Sequence, residues 1–482
     1  MSAEITLPRP RFPEGYKPRT EDLTAGRYGT LETVQIWGPD NTFEKSLQAQ
    51  GQAALTLSRL YPDVVPPENA REIAEMASLA HINPDRIREI EAKKKHDVIA
   101  INTSLEEKIS EGSRPHVNKF KTSADTTQPA RALQLKASLQ VIAESVENLR
   151  DIVLEKALNW VDVPHMDCTH LYDAVPTVAG RPLAFYAEML QTGLQVIKYF
   201  YNNSIIGKWA DVTGNHHSAV TAGVDGPRLQ REYCKDLGIG FMTAPAQIPG
   251  LEFEADIIYS MARISETINN LAKYISWGRS DDVNVFVYKN PKKGKGSSGM
   301  PHKDIKGGNP ISEEQFMSVR NFVAGQMSSA LMNCEMPYAR NLSASADMRI
   351  ILEDVFKFLD HGIRSMAEVV FYLDVDQARC KERVLRSYGV VTSEQVLTVL
   401  TDSRMVEHPM GRSEAHDLLG QLATEAFNSK TQFADVLLRN LELTSRIDEP
   451  TLRKMTDPLQ FIGESKTLVR DVYDMYHGAK TL

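Results

Sequence analysis

The residues best able to do chemistry gather on one lysine- and glycine-rich stretch, Lys289 to Pro310. Gly294, Gly296 and Gly299 free its backbone to move, while Ser297, Ser298, His302 and Lys303 put polar groups on it. Mobile polar loops are where enzymes close over a substrate, although composition alone suits a solvated linker equally well. Gly294 to Gly299 invites comparison with a phosphate loop, but the Gly-x-x-x-x-Gly-Lys-[Ser/Thr] pattern between strand and helix is absent, which argues against that class of nucleotidase. Elsewhere His96 and His170 are candidate proton carriers, and Arg27, Arg340 and Arg349 candidate anion contacts. Taken singly, each is more often a hydrogen-bonded structural histidine or an ion-pair residue.

Long helices must position these groups. Between Arg131 and Trp160 there is no Pro or Gly, and Leu135, Leu139, Ile142, Val146, Leu149 and Val153 recur at spacings of four and three. Leu183, Tyr186, Leu190, Leu194, Ile197 and Tyr201 repeat the pattern, as do Met348, Leu352, Val355, Leu359, Ile363, Met366 and Val370. Each rod would run roughly 30–45 Å at 1.5 Å per residue. Their apolar stripes are wide enough to meet several neighbours, so the rods should bundle within the chain and with other copies. Val283, Val285 and Val287 alternate just ahead of the lysine-rich stretch and predict a short hairpin carrying that loop. Pro8, Pro10, Pro13 and Pro18 predict an arm lying on a surface.

The 482 residues are 42% hydrophobic and 24% charged, a balance that can bury a core. A net charge of −8 gives no broad basic footprint for nucleic acid, so an anionic ligand must be met locally. No run reaches the roughly 20 apolar residues of a membrane span, and the N-terminus lacks a signal layout, so a cytoplasmic protein is expected. Cys168, Cys234, Cys334 and Cys380 lie far apart, which predicts reduced thiols rather than a zinc knuckle or a disulfide framework.

Gly-Ser-Ser-x-Met-Pro-x-Lys, Gly296 to Lys303, closely resembles the signature of the fumarase/aspartase superfamily, homotetrameric lyases that release fumarate from a succinyl substrate. Other stretches match in order, and within the superfamily they are similar to the adenylosuccinate lyase family. These are Arg27-Tyr28 with Ile36-Trp37 and Phe43, Lys95-His96-Asp97-Val98, Thr122-Ser123-Ala124-Asp125, and Thr169-His170 with Pro176-Thr177 and Gly180. Gly214-Asn215, Gln247-Ile248, Arg340 with Ser345 and Arg349, and Gly411 to His416 continue the series. The resemblance spans about residues 25 to 470.

The resemblance implies an all-α chain in three parts: an N-terminal helical domain over 1–120, a central long-helix bundle over 121–372 with a mobile loop at 289–310, and a C-terminal helical domain over 373–482. Four central bundles would make a twenty-helix core, each active site drawing on three subunits. The implied reaction removes fumarate from adenylosuccinate to leave AMP, and splits the succinylcarboxamide imidazole ribotide of purine synthesis likewise, with no metal or organic cofactor. The rivals are another lyase of the superfamily, acting on argininosuccinate or a carboxymuconate, and an inactive structural paralogue.

Elimination takes a proton from the carbon beside a carboxylate and breaks a C–N bond, so it needs a base, an acid and fixed positive dipoles. By resemblance the base is Ser297 and the acid His170, whose imidazole class titrates near neutrality. His96 would orient His170 or touch the phosphate, and Lys303 would favour the serine alkoxide. Arg27, Arg340, Arg349 and Ser345 are the implied phosphate contacts; Thr122, Ser123, Gln247 and Lys303 would hold the succinyl carboxylates. Tyr28, Lys95, Asp97, Ser298, Met300 and Asn309 complete the implied substrate site. Lys289, Lys292, Lys293 and Lys295 would attract a polyanion to an otherwise acidic protein.

Three departures stand out. Cys168 precedes Thr169-His170 where the superfamily often has Arg. Lys303-Asp-Ile-Lys-Gly-Gly-Asn309-Pro310 replaces Lys-x-Asn-Pro, a four-residue insertion that Gly307-Gly308 should let bulge outward, returning Asn309 to its place. Gln315 stands where some relatives carry a substrate-binding Arg.

Overall fold

The computed structural model describes residues 27–291 and 294–482, without the side chain of Lys306. The expected N-terminal arm, apart from its junction at Arg27, and the charge-steering Lys292 and Lys293 lie outside the described residues.

The chain is mostly helical, as the apolar periodicity predicts. Five helices open it: α1 (Leu31–Trp37), α2 (Pro39–Leu60), α3 (Pro67–Met76), α4 (Pro84–Lys94) and α5 (Asp97–Glu106). The bundle follows as α6 (Ala124–Asn159), α7 (Gly180–Asn203), α8 (His217–Thr221), α9 (Gly226–Asp236), α10 (Glu252–Gly278), α11 (Ile311–Met332) and α12 (Ser345–Tyr372). The remainder is α13 (Gln377–Leu385), α14 (Ser393–Thr401), α15 (Arg412–Ser429), the short α16 (Phe433–Leu437), α17 (Leu441–Thr444) and α18 (Glu449–Met455), and finally α19 (Ser465–Tyr476).

The first predicted rod begins earlier than its proline-free stretch. Pro129 sits inside α6 and costs the helix one hydrogen bond, to the carbonyl of Asp125, which the surrounding burial outweighs. α6 is buried almost all round, flanked by α2, α7, α12 and α19. Its polar residues therefore need partners: Arg150 donates to the Ala479 carbonyl at 2.7 Å, and Glu147 accepts from the Thr481 amide at 2.6 Å. The chain's last residues thus cap charges on the central helix.

Helices α1–α5 share one continuous apolar core with the bundle. A second core, built from Val396, Leu400, Leu419, Phe433, Leu443 and Leu452 among others, belongs to the C-terminal segment alone. The final helix, α19, leaves that segment: Val469 is buried in the bundle core, because its apolar stripe faces α7 and α6. The expected division at 373–482 therefore holds a helix that packs with the central part.

Three small sheets punctuate the helices. β1 (Pro164–Thr169) and β2 (Tyr172–Val178) form an antiparallel hairpin, β3 (Ile206–Gly207) and β4 (Gly240–Phe241) pair in parallel, and β5 (Phe286–Tyr288) pairs antiparallel with β6 (Leu373–Val375). Among the described residues, no hairpin carries the lysine-rich loop. β5 takes its partner from beyond α12, since the chain after the loop enters α11 and has no strand to offer.

The long helices give the molecule two ends. At about 1.5 Å per residue the 36 residues of α6 span roughly 54 Å. Near its start lie α5, the start of α10, the end of α11 and the start of α12. Near its far end Trp160 stacks on Phe286 at 5.7 Å and Lys156 donates to the Leu373 carbonyl, so the hairpin, β5–β6 and the lysine-rich loop gather there.

Candidate active site

At the first end, Lys95 closes α4 in the left-handed region (φ 56°) and turns the chain sharply into α5. His96 caps that helix: Nδ1 accepts from the Ile99 amide at 3.4 Å, and Nε2 lies 3.4 Å from Ser123 Oγ. Asp97 Oδ1 accepts from the Val98 amide at 2.7 Å. His96, Asp97 and Ser123 are therefore neighbours.

Thr122 and Ser123 begin the turn into α6, and that turn is anchored from beneath. The Thr122 amide donates to Asp125 Oδ2 at 2.8 Å; Asp125 also accepts from the amides of Ala210 (2.9 Å) and Asp211 (3.1 Å) and from Lys208. Both Asp125 and Lys208 are fully buried as side chains. Burial pushes the Lys208 ammonium down and Asp125 partly restores it; the neighbouring Lys121 amine is pushed down to about 7, chiefly by burial. Sequence reasoning passed over Lys208, whose one signal is a lysine inside the apolar run Ile205 to Ala210.

Gln247 joins this end through its amide, which donates to the Ala339 carbonyl at 3.2 Å, just before Arg340. Arg340, Ser345 and Arg349 line a cavity of about 380 Å³ together with Asp97, Trp37 and Phe43. Among the described residues, Arg340 and Arg349 have no carboxylate partner. Burial lowers the Arg340 guanidinium below its ordinary range, helped by repulsion from Arg131 and Arg349. Arg27 and Tyr28 lie farther along the bundle: the Arg27 guanidinium sits 5.7 Å from the Tyr28 ring centroid, and Tyr28 meets Phe358 and His361 edge-on.

At the second end, His170 and Leu171 form the two-residue tip of the β1–β2 hairpin with φ of 53° and 70°. Both central residues at positive φ fit the tight turn whose twist matches a hairpin. His170 is exposed, as are Leu171 (71%) and Tyr172 (80%). Below the tip, Asp173 accepts from Arg383 at 2.8 Å and from Arg386 at 2.6 Å. Burial alone would raise the Asp173 carboxyl, but the two arginines outweigh it and hold it below the usual range. Arg383 also reaches Cys168 Sγ at 3.8 Å, so a cation from α13 stands beside the position where an Arg was expected.

The lysine-rich loop ends in a 3-10 turn, Pro301–Lys306. Ser297 Oγ accepts from the Met300 amide at 3.1 Å, and the Gly296 amide donates to Asp304 at 2.8 Å. The inserted residues fold into that turn, which Gly307 (φ 92°) and Gly308 (φ 76°) close. Asn309 then returns to Lys303, whose Nζ donates to its Oδ1 at 2.9 Å. Arg279 fixes the base of the turn, donating to the Gly308 carbonyl at 2.9 Å and pairing with buried Glu313. Ser298, Met300 and Lys303 are exposed; Gln315 is half-buried on α11.

One chain thus keeps its candidate residues in separate places. His96, Thr122, Ser123, Gln247, Arg340, Ser345 and Arg349 sit at one end, and His170 and Ser297 at the other, with α6 between. Among the described residues no hydrogen bond joins His170, Ser297 and His96 to one another.

The model of the lyase family matches residues 30–325 of this chain. The chain belongs to that family. A second model, that of the adenylosuccinate lyase C-terminus, matches residues 389–472. The chain is 27% identical to the adenylosuccinate lyase of Methanocaldococcus jannaschii, covering 92% of this chain and 94% of that protein. It is also 27% identical to the adenylosuccinate lyase of Pyrococcus abyssi, covering 92% and 96%. These matches place this lyase with the adenylosuccinate lyases of the fumarase/aspartase superfamily, as the motifs implied. Its fold is shared with a fumarate lyase from Mesorhizobium sp. BNC1 (TM-score 0.77, 20% identity, 93% of this chain and 98% of that one). It is shared equally with the 3-carboxy-cis,cis-muconate lactonizing enzyme of Pseudomonas putida (TM-score 0.78, 18% identity, 94% and 98%).

Proposed function

We propose that this lyase cleaves adenylosuccinate to AMP and fumarate, and splits succinylcarboxamide imidazole ribotide in the same site. The observation that carries this reading is the cavity beside Arg340, Ser345 and Arg349, where two guanidiniums lack a carboxylate partner among the described residues and Trp37 and Phe43 supply aromatic walls. Arginine forks suit a phosphate, and the aromatic surface suits a base, whereas a phosphate-free dicarboxylate would leave those charges unmet.

In the reaction Ser297, as alkoxide, takes a proton from the carbon beside the succinyl carboxylate. The resulting carbanion pushes its electron pair into a new C=C bond, the C–N bond breaks toward nitrogen, and His170 protonates the departing amine. The Met300 amide already donates to Ser297 Oγ, and a donor to the charged form favours it. Closure of the loop would exclude water and strengthen that effect. Thr122, Ser123, Gln247 and Lys303 receive the carboxylates, with Asn309 steadying Lys303. Arg27, Tyr28, Lys95, Asp97, Ser298 and Met300 belong to the same proposed substrate site, His96 to its orientation.

The working form in this reading is a homotetramer in the cytoplasm, each site combining both ends of different bundles, with the three-part division at about 120 and 372. It needs no metal or organic cofactor. No helix among the described residues is long and apolar enough to cross a membrane. The test is ultraviolet absorbance of the purified protein with adenylosuccinate, with AMP and fumarate identified by chromatography. Turnover of argininosuccinate or a carboxymuconate in their place would overturn the assignment, and a folded tetramer inert to all of them would support the structural paralogue.

A further inference from the structure

Arg131 lines the same cavity as Arg340 and Arg349, from the side of α6 that also presents Thr127, Gln128 and Gln134. Those residues are three and four positions away, so they share one helical face. Arg131 is only 18% exposed and pairs with Glu254 of α10, itself 9% exposed. The pairing uses a single nitrogen: Nη1 reaches Glu254 Oε1 at 3.2 Å and Oε2 at 3.3 Å. A guanidinium committed to a carboxylate normally offers two parallel donors. Here Nη2 and Nε make no hydrogen bond among the described residues.

Three carboxylates, Asp97, Glu335 and Glu353, line the cavity as well. Asp97 is turned to the Val98 amide and Glu353 to Lys357. The charges that depress Arg340 beyond its burial are Arg131 and Arg349, so both stand near enough to repel it. Cations gathered at one cavity repel until an anion enters.

We infer that Arg131 is a further cationic contact for the substrate's phosphate, beside Arg340 and Arg349, held facing the cavity by Glu254. The inference rests on the phosphate reading proposed above and adds a residue that no motif marks. Glu254 steers the guanidinium through one nitrogen and leaves the rest of the fork for phosphate oxygens. A phosphate monoester, with three acceptor oxygens, can occupy all three arginines at once.

The test compares Arg131→Gln, Arg131→Lys, Glu254→Gln and Arg349→Gln in the full-length protein, reading turnover of adenylosuccinate, inhibition by AMP and by fumarate, and thermal unfolding. Loss of one charge-assisted contact is expected to raise KM and the AMP inhibition constant about tenfold in Arg131→Gln. Fumarate, which has no phosphate, should inhibit as before, and kcat should stay within about twofold. Arg131→Lys should recover part of the loss. A purely structural ion pair predicts instead that Arg131→Gln and Glu254→Gln lower the unfolding temperature alike and weaken AMP alike. The inference requires Glu254→Gln, which keeps the guanidinium and can still accept one hydrogen bond from it, to weaken AMP less than Arg131→Gln does, and Arg131→Lys supplies the same comparison if Arg131→Gln fails to fold. Unchanged AMP inhibition in Arg131→Gln beside a weakened Arg349→Gln would overturn the inference and leave the phosphate reading intact. Unchanged inhibition in both would remove the phosphate reading itself.

Discussion

Lys303 Nζ and Asn309 Oδ1 are hydrogen-bonded at 2.9 Å across a 3-10 turn that the inserted residues create. The two polar groups meet because Gly307 and Gly308 adopt the left-handed backbone that closes the turn. An added Cβ at Gly307 would stand 2.7 Å from the Tyr288 carbonyl oxygen and 2.8 Å from its Cβ, besides the strain of φ 92°. Gly307→Ala is therefore expected to cost on the order of 1–2 kcal/mol locally and to lower kcat by several-fold, whereas Ile305→Ala, at an exposed position, should be neutral. Steady-state kinetics of the two variants checks this. Equal loss in both would mean that the turn's closure does not matter.

The separation of the site residues by the length of α6 gives a second expectation. His96→Asn and His170→Gln should each lose turnover about 100-fold or more while remaining assembled, and Ser297→Ala should behave in the same way. Mixing the two histidine variants under conditions of subunit exchange should restore measurable turnover, since some sites then receive an intact His96 from one chain and an intact His170 from another. A mixture as inactive as its components would mean that one chain supplies both residues.

Buried Asp125 and Lys208 tie the Thr122–Ser123 turn to the segment before α8. Lys208→Met leaves a buried carboxylate without its cation, a change that typically costs about 3–5 kcal/mol. Denaturant unfolding should show that loss, together with a raised KM as the carboxylate-binding turn loosens. The double variant Asp125→Asn/Lys208→Met should regain part of the stability, as it removes both charges but leaves the asparagine NH2 facing a backbone amide that Asp125 accepts from. A double variant no more stable than Lys208→Met would refute the pairing as the cause.

His165, buried on β1 beside Tyr274 (3.4 Å) and Cys380 (3.8 Å), is pushed down to about 4 by burial, aided by Arg383. Unfolded, an imidazole takes up its proton near 6.5, so between these values the unfolded chain binds more protons than the folded one. Stability from this group is intact above about 6.5 and falls as the pH drops toward 4, by up to roughly 3 kcal/mol. Denaturation midpoints from pH 7 to 4 should show a slope that His165→Asn flattens. An unchanged slope in that variant would assign the acid sensitivity elsewhere.

Much of the fold was legible because it is periodic over short distances. The stripes of α6, α7 and α12 repeat every three or four residues, and burial of Leu139, Leu190 and Leu359 follows them. The β1–β2 hairpin escaped notice because Pro164, Asp167 and Pro176 interrupt any alternation, and its strands are short. The partner of β5 could not be read locally, since 85 residues separate Lys289 from Asp374, which pair at the edge of the same ladder. The start of α6 was hidden behind Pro129, a residue that ends helices unless tertiary packing retains it.

The sequence by itself determined the chemical inventory and its order along the chain: a serine on a glycine-rich loop, two histidines, a run of arginines, and helices long enough to carry them. Side-chain identity and local spacing are written in the residues and survive without a fold. Only the tertiary structure decided which of these groups share an end of the bundle, that Lys208 braces the turn beneath Ser123, and that Arg131 stands beside Arg340 and Arg349. The physical reason is distance along the chain. A helix forms from contacts three and four residues apart, whereas these juxtapositions join segments from 27 residues apart, for His96 and Ser123, to far more, and depend on how whole helices pack.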